Sequence, residues 1–288
     1  MGINVNELDA IVSLYEDGLL PHPGNIADMG AQQLHMTGQP VDRIRAFLRT
    51  FSPGQDFSDR KLAKLADNGY VGELLQYTDF HYCSFDLVST PYNREFDFNT
   101  DAIDSEDKAR YDLVTNFGTT EHVMDQVRSF RTIHDLTKVG GIMFHVLPIN
   151  IEHGLLSYTT KFANLLVKAN DYEVIEINYN QDPNFTPIQG DVMGRSYKYR
   201  SGPPVKTNST YQMYGVSIIV RKRSDQEFQL PLDLIEEFPA DISGESSKGG
   251  SSENEAVVAP RPVEYIAGRE LLRELAVRIG RRLKILSR

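Results

Sequence analysis

The stretch Tyr111-Asp-Leu-Val-Thr-Asn-Phe-Gly-Thr-Thr-Glu-His122 contains the pattern that decides the fold. Its first seven residues include aromatic and β-branched side chains and are followed by Gly118, which predicts a strand over 111–117. From Thr115 to His122 the residues are small or polar around one aromatic ring, which is too polar for a core. We therefore expect this segment to face solvent or a ligand.

A helix and a second strand are predicted after that stretch. Apolar residues recur at helical spacing from Val123 to Lys138, where Gly140-Gly141 is expected to close the helix. An apolar strand is predicted from Ile142 to Leu147. Strand, helix and strand in this order indicate a parallel sheet.

The same alternation extends along the chain in both directions. Strands are predicted at 25–30, 80–88, 96–99, 172–179 and 211–221, and helices at 5–19, at 41–51, from Ser58 and at 162–169. This pattern predicts an α/β protein with a doubly wound, mostly parallel sheet. The last two strands have no helix between them and are expected to form an antiparallel pair at the edge.

The composition excludes several classes of protein. The chain has 288 residues, a formal charge of −10 and one cysteine, Cys83, so a disulfide scaffold is excluded. No run approaches the roughly 20 apolar residues that cross a bilayer, and the first residues do not resemble a secretion signal. We therefore expect a soluble, cytoplasmic protein.

The charge is divided unevenly between body and tail. Residues 261–288 carry eight Lys/Arg and three Glu, a net +5, so residues 1–260 carry −15. An acidic body repels a phosphate backbone, which argues against nucleic acid as its partner.

Three segments follow from these patterns. Residues 1–240 are the α/β domain, with a helical insertion at 38–75, and residues 241–260 are a flexible Ser/Gly linker. Residues 261–288 form a basic amphipathic helix. Docking of this helix on a protein, either a partner or the chain's own acidic body, is favoured over attachment to an anionic membrane surface.

Ligands of open parallel sheets bind at the carboxyl ends of the strands, so the loops there are the candidates. Gly30 allows close backbone approach to a ligand, and a helix after it would present free N–H groups; a simple turn explains it equally well. Asp86 can accept both hydroxyls of a ribose, or it caps a turn. Asp97-Phe98-Asn99 could read and stack on an adenine, or be a bland turn.

These segments, taken in order, resemble the motifs of class I S-adenosylmethionine-dependent methyltransferases. The segments are Asp28-Met-Gly30, Asp86, Asp97-Phe-Asn99, Asp112 to His122 and Leu136-Thr-Lys-Val-Gly-Gly-Ile142. The Glu-His pair and the Lys-x-Gly-Gly turn look like the branch that methylates small molecules and sugars. The resemblance covers about residues 20–221.

The resemblance implies a cofactor, an acceptor class and a set of binding residues. The cofactor is S-adenosyl-L-methionine, and the acceptor is a small molecule or sugar, methylated on oxygen in preference to nitrogen. The implied cofactor-binding residues are Asp28, Gly30, Asp86, Asp97, Phe98, Asn116 and Gly118. The chain departs from the family in its first loop, where Gly-x-Gly-x-Gly is usual and Asp28-Met-Gly30-Ala-Gln-Gln33 keeps one glycine.

Methyl transfer needs positioning of the acceptor and removal of its proton, and histidine is the natural base near neutral pH. The candidates are His122, His145 and His153, of which His122 is favoured, with Glu121 orienting it or contacting the methionyl group. His134 lies on an apolar helix stripe and is assigned to the core. The spacing of His and acidic residues indicates no metal site.

Two other functions are compatible with this fold class. A nicotinamide-dependent oxidoreductase uses the same fold, but Asp28-Met-Gly30 lacks the further glycines that admit a pyrophosphate. A catalytically silent scaffold that offers its tail to a partner would be compatible with the reduced glycine loop.

Overall fold

A computed structural model describes residues 2–35, 40–149, 154–181 and 213–232. The linker predicted at 241–260 and the helix predicted at 261–288 lie outside the described residues. In the described part of the chain, no helix is long and apolar enough to cross a membrane.

The described strands and helices alternate along the chain. The strands are β1 (Gly2–Ile3), β2 (Asn25–Met29), β3 (Gln33–His35), β4 (Asp67–Tyr70), β5 (His81–Asp86), β6 (Asn93–Glu95), β7 (Tyr111–Phe117), β8 (Thr137–Pro148), β9 (Glu173–Gln181) and β10 (Met213–Arg221). The helices are α1 (Val5–Glu16), α2 (Pro40–Phe51), α3 (Asp59–Ala66), α4 (Val71–Leu75), α5 (Gln126–Leu136) and α6 (Thr160–Ala169), with a 3₁₀ turn at Thr120–His122.

The main sheet has the strand order β6-β5-β2-β7-β8-β10-β9 among the described residues. Strands β6, β5, β2, β7 and β8 are parallel, and β10 runs antiparallel to both β8 and β9. This confirms the predicted doubly wound, mostly parallel sheet and its antiparallel C-terminal pair. The order reverses at β2, so ligand-binding loops are expected beside the carboxyl ends of β2 and β7.

Helices cover both faces of the main sheet. Adjacent residues of a strand point to opposite faces, so Ala27 and Val114 join one core with α5 and α6. Ile26 and Leu113 join the other core, with the apolar sides of α1, α2, α3 and α4. Helices predicted within 38–75 are therefore part of a helical layer that packs on the sheet.

Local hydrogen bonds explain where several elements begin. The side chain of Asn4 accepts a hydrogen bond from the Asn6 amide, and Glu7 accepts one from the Asn4 amide, which caps α1. The Asp125 carboxylate accepts the Arg128 amide (2.8 Å) and caps α5 in the same way.

Three local expectations are wrong. The strand expected at 96–99 lies at Asn93–Glu95, because the Asp97 carboxylate accepts the Asn99 amide (2.8 Å) and closes a turn there. The helix expected to reach Lys138 ends at Leu136, and Gly140 lies within β8. Lys222 explains that earlier end, since its Nζ donates to the carbonyls of His134 and Thr137.

The third wrong expectation concerns the chain after Gly30. Strand β3 follows it, instead of a helix, and α2 begins only at Pro40. In the described residues β3 lies between β1 and β4 in a small second sheet. The amide N–H groups near Gly30 therefore belong to a strand connection and not to a helix N-terminus.

Candidate active site

Hydrogen bonds at Asp86 and its neighbour Phe85 join the carboxyl ends of β2 and β5. The Gly30 amide donates to the carbonyl of Phe85 (2.7 Å), and the Ala31 amide donates to Asp86 Oδ2 (2.7 Å). Asp86 Oδ1 accepts the Val88 amide (2.9 Å). The carboxylate is half-buried and held in place, and each oxygen keeps a lone pair for a further donor.

A glycine is required at position 30 by the backbone conformation there and by the nearby side chain of Thr119. Its φ of +88° lies in the left-handed region, and a Cβ there would lie 2.6 Å from Thr119 Oγ1. The Thr119 hydroxyl donates to the Met29 carbonyl. The loops after β2 and β7 are therefore in direct contact, and Thr119 occupies the side of Gly30 where a side chain would lie.

Gln32 fills the connection after Gly30 and is only 1% exposed. Its Nε2 donates to the Met29 carbonyl (2.9 Å) and to Thr119 Oγ1 (3.0 Å), whereas its Oε1 has no hydrogen-bond partner. Sequence analysis did not single out this residue. The available signal was a large polar side chain within the loop that is glycine-rich in the family.

Asp28 lies within β2 and is buried, as expected of a strand residue beside the site. The hydroxyl of Tyr82 donates to its Oδ2 (2.6 Å). Burial raises the pKa of the Asp28 carboxyl to about 7, and the Tyr82 hydrogen bond opposes that rise. Tyr82 is a second residue that sequence analysis did not identify.

Asn116 organises the turn after β7. Its Oδ1 faces the amides of Thr119 (3.4 Å) and Thr120 (3.3 Å), and its Nδ2 donates to Thr120 Oγ1 (2.9 Å). Gly118 has a φ of +78°, and its amide donates to the carbonyl of Val146 (3.0 Å). Both residues shape the backbone of the segment that the sequence marks as too polar for a core.

His145 is buried on β8 beside this turn. Its Nδ1 lies 3.4 Å from Asn116 Nδ2, its Nε2 has no hydrogen-bond partner, and its ring is 5.6 Å from that of Phe130. Burial lowers the pKa of His145 to about 4, so the ring is neutral at physiological pH.

Glu121 and His122 are neighbours in opposite environments. Glu121 is 1% exposed, and its Oε2 has no hydrogen-bond partner; burial raises its pKa to about 7. His122 is exposed at the end of the 3₁₀ turn. His153, the remaining histidine candidate, lies outside the described residues.

Residues 154–156, which follow β8 in the chain, contact the backbone of Glu121. A Cβ at Gly154 would lie 2.6 Å from the Glu121 carbonyl oxygen, and the Leu156 amide donates to that oxygen (3.1 Å). The Tyr158 hydroxyl lies 2.8 Å from Thr120 Oγ1 and 2.6 Å from Gln126 Oε1. Tyr158 and Gln126 thus fix the 3₁₀ turn, and no sequence motif indicated either residue.

Asp97 and Phe98 lie on the loop after β6. The Asn99 amide donates a hydrogen bond to the Asp97 carboxylate, and this bond holds the pKa of Asp97 below its usual value. Phe98 is buried, with its ring 5.1 Å from that of Phe96. Asn99 Oδ1 accepts the amides of Met124 and Asp125 (3.1 Å each), which joins this loop to the start of α5.

Two other polar features are formed by residues that were not predicted for the site. In the described ranges, Asp104, Glu106 and Asp107 lie close enough to share a cation, and Arg94 is ion-paired with all three. A surface cavity beside α5 is lined by residues of 101–103 and by charged side chains, including Lys108, Arg128 and Arg131. None of the residues predicted for the site lines that cavity.

Comparison with known protein families gives a match to one family model. Residues 66–179 match the family model of a methyltransferase domain. The match spans β5, β7 and β8 and therefore includes Asp86 and the turn at 116–121. The prediction of an S-adenosylmethionine-dependent methyltransferase with S-adenosyl-L-methionine as cofactor is confirmed.

Several solved structures of methyltransferases are similar to this chain. Similarity to 1,6-didemethyltoxoflavin-N1-methyltransferase of Burkholderia thailandensis covers 76% of this chain and 78% of that one, with 14% identity and a TM-score of 0.38. Similarity to TehB of Haemophilus influenzae covers 75% of this chain and 62% of that one, with 13% identity and a TM-score of 0.38. Similarity to a TehB-like S-adenosylmethionine-dependent methyltransferase of Corynebacterium glutamicum covers 75% of this chain and 93% of that one, with 13% identity and a TM-score of 0.40.

Similarity at this level of identity is one of fold and identifies no acceptor. No curated protein sequence matches the chain.

Proposed function

We propose that this methyltransferase acts on a small-molecule or sugar acceptor and transfers the methyl group to an acceptor oxygen. The observation that supports a ligand site at the strand ends is a surplus of buried polar atoms. Five buried side-chain polar atoms of the described residues lack a hydrogen-bond partner. Three of them, Gln32 Oε1, Glu121 Oε2 and His145 Nε2, are on residues that belong to or contact the segment 116–121, and the other two are on His22 and Asp112. Buried polar groups are nearly always satisfied, so such a cluster favours a bound polar molecule.

The residues at this edge fit the chemistry of the cofactor. Asp86 would accept the ribose hydroxyls through the lone pairs that Ala31 and Val88 leave free. Asp97 and Phe98 would contact the adenine side, while Asp28, Gly30, Asn116 and Gly118 would shape the pocket walls. When bound, S-adenosylmethionine would supply a methyl group on a sulfonium, whose carbon–sulfur bond breaks to leave S-adenosylhomocysteine as the bond to the acceptor oxygen forms.

The base we assign is His122. It is exposed at the strand-end loops, and histidine exchanges protons near neutral pH. His145 is less suited to this role, because its buried ring has a lowered pKa. His153 keeps the role of an alternative base. Glu121, one residue from His122, would contact the methionyl end or orient His122.

The acceptor we favour has an apolar part. Leu87, Val88, Met124 and Leu155 are large apolar side chains that are more than half exposed. They follow β5, β7 and β8 at the edge that carries Asp86 and Glu121. An apolar rim around a polar centre is typical of sites that bind small organic molecules.

Calorimetry with S-adenosylhomocysteine tests the cofactor site. Asp86→Ala should weaken binding by at least tenfold, because two charge-assisted hydrogen bonds are lost. His122→Ala should leave binding within about twofold and lower turnover by about 10²-fold or more. Asp79→Ala, an exposed acid at the amino end of the same strand, is the control and should change neither.

Two results would contradict the proposal. Absence of S-adenosylhomocysteine binding at millimolar concentration, with a normal unfolding transition, would refute the site. Equal losses of affinity in Asp86→Ala and His122→Ala would show that the two roles are wrongly assigned.

For residues 261–288 we propose docking on a protein surface, on the strength of the net +5 charge and the apolar stripe. Co-sedimentation with anionic vesicles at low salt tests the competing membrane role. The full chain and a chain ending at residue 242 should partition equally. Preferential sedimentation of the full chain would overturn the proposal.

A further inference from the structure

The hydroxyl of Tyr158 joins parts of the chain that are distant in sequence. Tyr158 follows β8, where its amide donates to the Pro148 carbonyl (2.9 Å), and the residue is 7% exposed. Its hydroxyl lies within hydrogen-bond distance of Thr120 Oγ1 (2.8 Å) and Gln126 Oε1 (2.6 Å). Thr120 begins the 3₁₀ turn and Gln126 begins α5, so Tyr158 contacts both the turn and the helix after it.

The direction of each hydrogen bond in this group follows from chemistry. Gln126 Nε2 donates to the carbonyls of Thr120 and Val123 (2.6 Å each), which leaves Gln126 Oε1 as an acceptor. The single proton of the Tyr158 hydroxyl therefore goes to Gln126 Oε1. The Thr120 hydroxyl accepts a hydrogen bond from Asn116 Nδ2 (2.9 Å) and donates its own proton to the Tyr158 oxygen.

These hydrogen bonds close a ring around Thr120. The donors run from Asn116 through Thr120 and Tyr158 to Gln126, and Gln126 donates back to the Thr120 carbonyl. Each hydrogen bond in such a chain polarises the next, so the bonds strengthen one another. Loss of the Tyr158 hydroxyl would leave Gln126 Oε1 without its donor and the Thr120 hydroxyl without its acceptor.

The ring lies beside a side chain that is buried and incompletely bonded. Glu121 follows Thr120, is 1% exposed and has no hydrogen-bond partner at Oε2. The segment that contains Tyr158 also contacts Glu121. A Cβ at Gly154 would lie 2.7 Å from Glu121 Cγ, and the Leu156 amide donates to the Glu121 carbonyl (3.1 Å). Bonded neighbours that hold an unbonded carboxylate in place are typical of a site prepared for a ligand.

We propose that Tyr158 is a positioning residue of the cofactor site. Its hydroxyl holds the segment from Asn116 to Glu121 in the conformation that binds the cofactor, which reduces the entropy lost on binding. The inference rests on the proposed function, in which Asn116 and Gly118 shape the pocket and Glu121 contacts the methionyl end of the cofactor.

Calorimetry with S-adenosylhomocysteine and adenosine tests this role. Adenosine keeps the nucleoside and lacks the amino-acid end, so it does not extend to Glu121. Tyr158→Phe removes only the hydroxyl oxygen. In this variant, affinity for S-adenosylhomocysteine should fall about fivefold to tenfold, and affinity for adenosine should stay within about twofold.

Tyr172→Phe is the matched control. Tyr172 is 6% exposed and immediately precedes β9, and its hydroxyl lies 2.7 Å from His134 Nδ1. Both substitutions remove a bonded hydroxyl from a buried tyrosine, so both should lower the midpoint of urea unfolding. Tyr172→Phe should leave the affinity for each ligand within about twofold of wild type.

Three results would overturn the inference and leave the proposed function intact. The first is an equal loss of affinity for the two ligands in Tyr158→Phe, and the second is unchanged affinity for both. The third is a loss of S-adenosylhomocysteine affinity in Tyr172→Phe as large as that in Tyr158→Phe, which would show that either hydroxyl acts through stability alone. Failure of the wild-type chain to bind either ligand would refute the proposed function itself.

Thr120→Val covers the case in which Tyr158→Phe does not fold. It replaces a hydroxyl with a methyl group of similar size and opens the same ring of hydrogen bonds. It should reproduce the selective loss of S-adenosylhomocysteine affinity, and unchanged affinity would overturn the inference. Where both variants fold, the double variant should lose about as much affinity as either alone, because the ring is already open. Losses that add would overturn the coupling through this ring.

Discussion

The two ends of the central strands differ in how their buried polar groups are bonded. At the amino end, Asp107 is fully buried and bonded to Arg94, Arg110 and the Tyr111 hydroxyl. Lys222 is buried there as well, with its Nζ donating to two carbonyls. At the carboxyl end, Gln32, Glu121 and His145 each keep a buried polar atom without a hydrogen-bond partner. Two more such atoms lie toward the amino end: Asp112 Oδ1 is ion-paired with Lys138, and His22 Nε2 belongs to a ring packed against Tyr15, Phe51 and Phe80.

From this difference we expect the amino end to contribute mainly to stability and the carboxyl end to ligand binding. A buried group that is fully bonded has nothing left to offer a ligand, whereas an unbonded one costs free energy until a ligand satisfies it. Substitutions at the amino end should therefore lower stability, and those at the carboxyl end should chiefly alter ligand binding.

The largest effect is expected at Arg94. Arg94→Met removes the main charge partner of Asp107 and leaves a buried carboxylate poorly compensated, so the free energy of unfolding should fall by about 3–5 kcal/mol. Urea unfolding measures this change. Asp104→Asn removes an exposed partner of the same guanidinium and should cost less than about 1 kcal/mol. Equal losses of unfolding free energy in the two variants would show that the burial of Asp107 does not explain the effect of Arg94→Met.

Lys222 is expected to give the next largest loss. Lys222→Met leaves the carbonyls of His134 and Thr137 without their donor, which should lower the free energy of unfolding by about 2–4 kcal/mol. The neighbouring Arg223→Met, at an exposed ion pair, should change it by less than about 1 kcal/mol. If the free energy of unfolding of Lys222→Met fell by less than about 1 kcal/mol, water would be replacing the ammonium as the donor to these two carbonyls.

Gly30 and Gly140 compare the two ends directly. Both have φ near +85°, at +88° and +82°, but a Cβ at Gly30 would meet Thr119 whereas nothing lies within 4 Å of one at Gly140. Gly140→Ala should cost about 1–2 kcal/mol through backbone strain. Gly30→Ala should cost about 1 kcal/mol more, from steric overlap. Thermal unfolding monitors both, and equal losses would show that Thr119 moves aside freely.

Glu121 is expected to show a small effect that depends on pH. Its folded pKa of about 7 lies above the ordinary value of 4.5, so its contribution to stability is present below pH 4.5 and lost as pH rises through 7. Glu121→Gln should match wild type near pH 4.5 and be more stable at pH 8, by at least about 1 kcal/mol, because the side chain is buried. Urea unfolding at both pH values measures this difference.

The exposed Glu16 at the end of α1 supplies the control for that experiment. The difference between Glu16→Gln and wild type should not depend on pH in this way. A Glu121→Gln protein that is less stable than wild type at pH 8 would contradict the burial of an unpartnered carboxylate.

The sequence predicted much of the sheet because hydrophobic period and strand-end chemistry are local signals. β7 was predicted with its observed bounds, and the two C-terminal strands to within two residues. The predicted site residues Gly30, Asp86, Asn116 and Glu121 lie at one edge, because parallel strands bring their carboxyl ends together. Their roles in binding and catalysis stay predictions.

The sequence missed what depends on partners distant in the chain. The helix end at Leu136 depends on Lys222, 86 positions later, and the importance of Gln32 depends on Thr119, 87 positions later. Tyr82, Gln126 and Tyr158 carry no motif, and each acquires its hydrogen-bonding role from the folded chain.

The sequence by itself determined the class of fold, the order of the strand-end loops and the family that they resemble, since each of these follows from spacing within a short window. Only the tertiary structure decided which polar atoms are satisfied. Hydrogen-bond partners at the sheet edge come from strands far apart in the chain, and the unpartnered atoms of Gln32, Glu121 and His145 exist only once those strands are side by side.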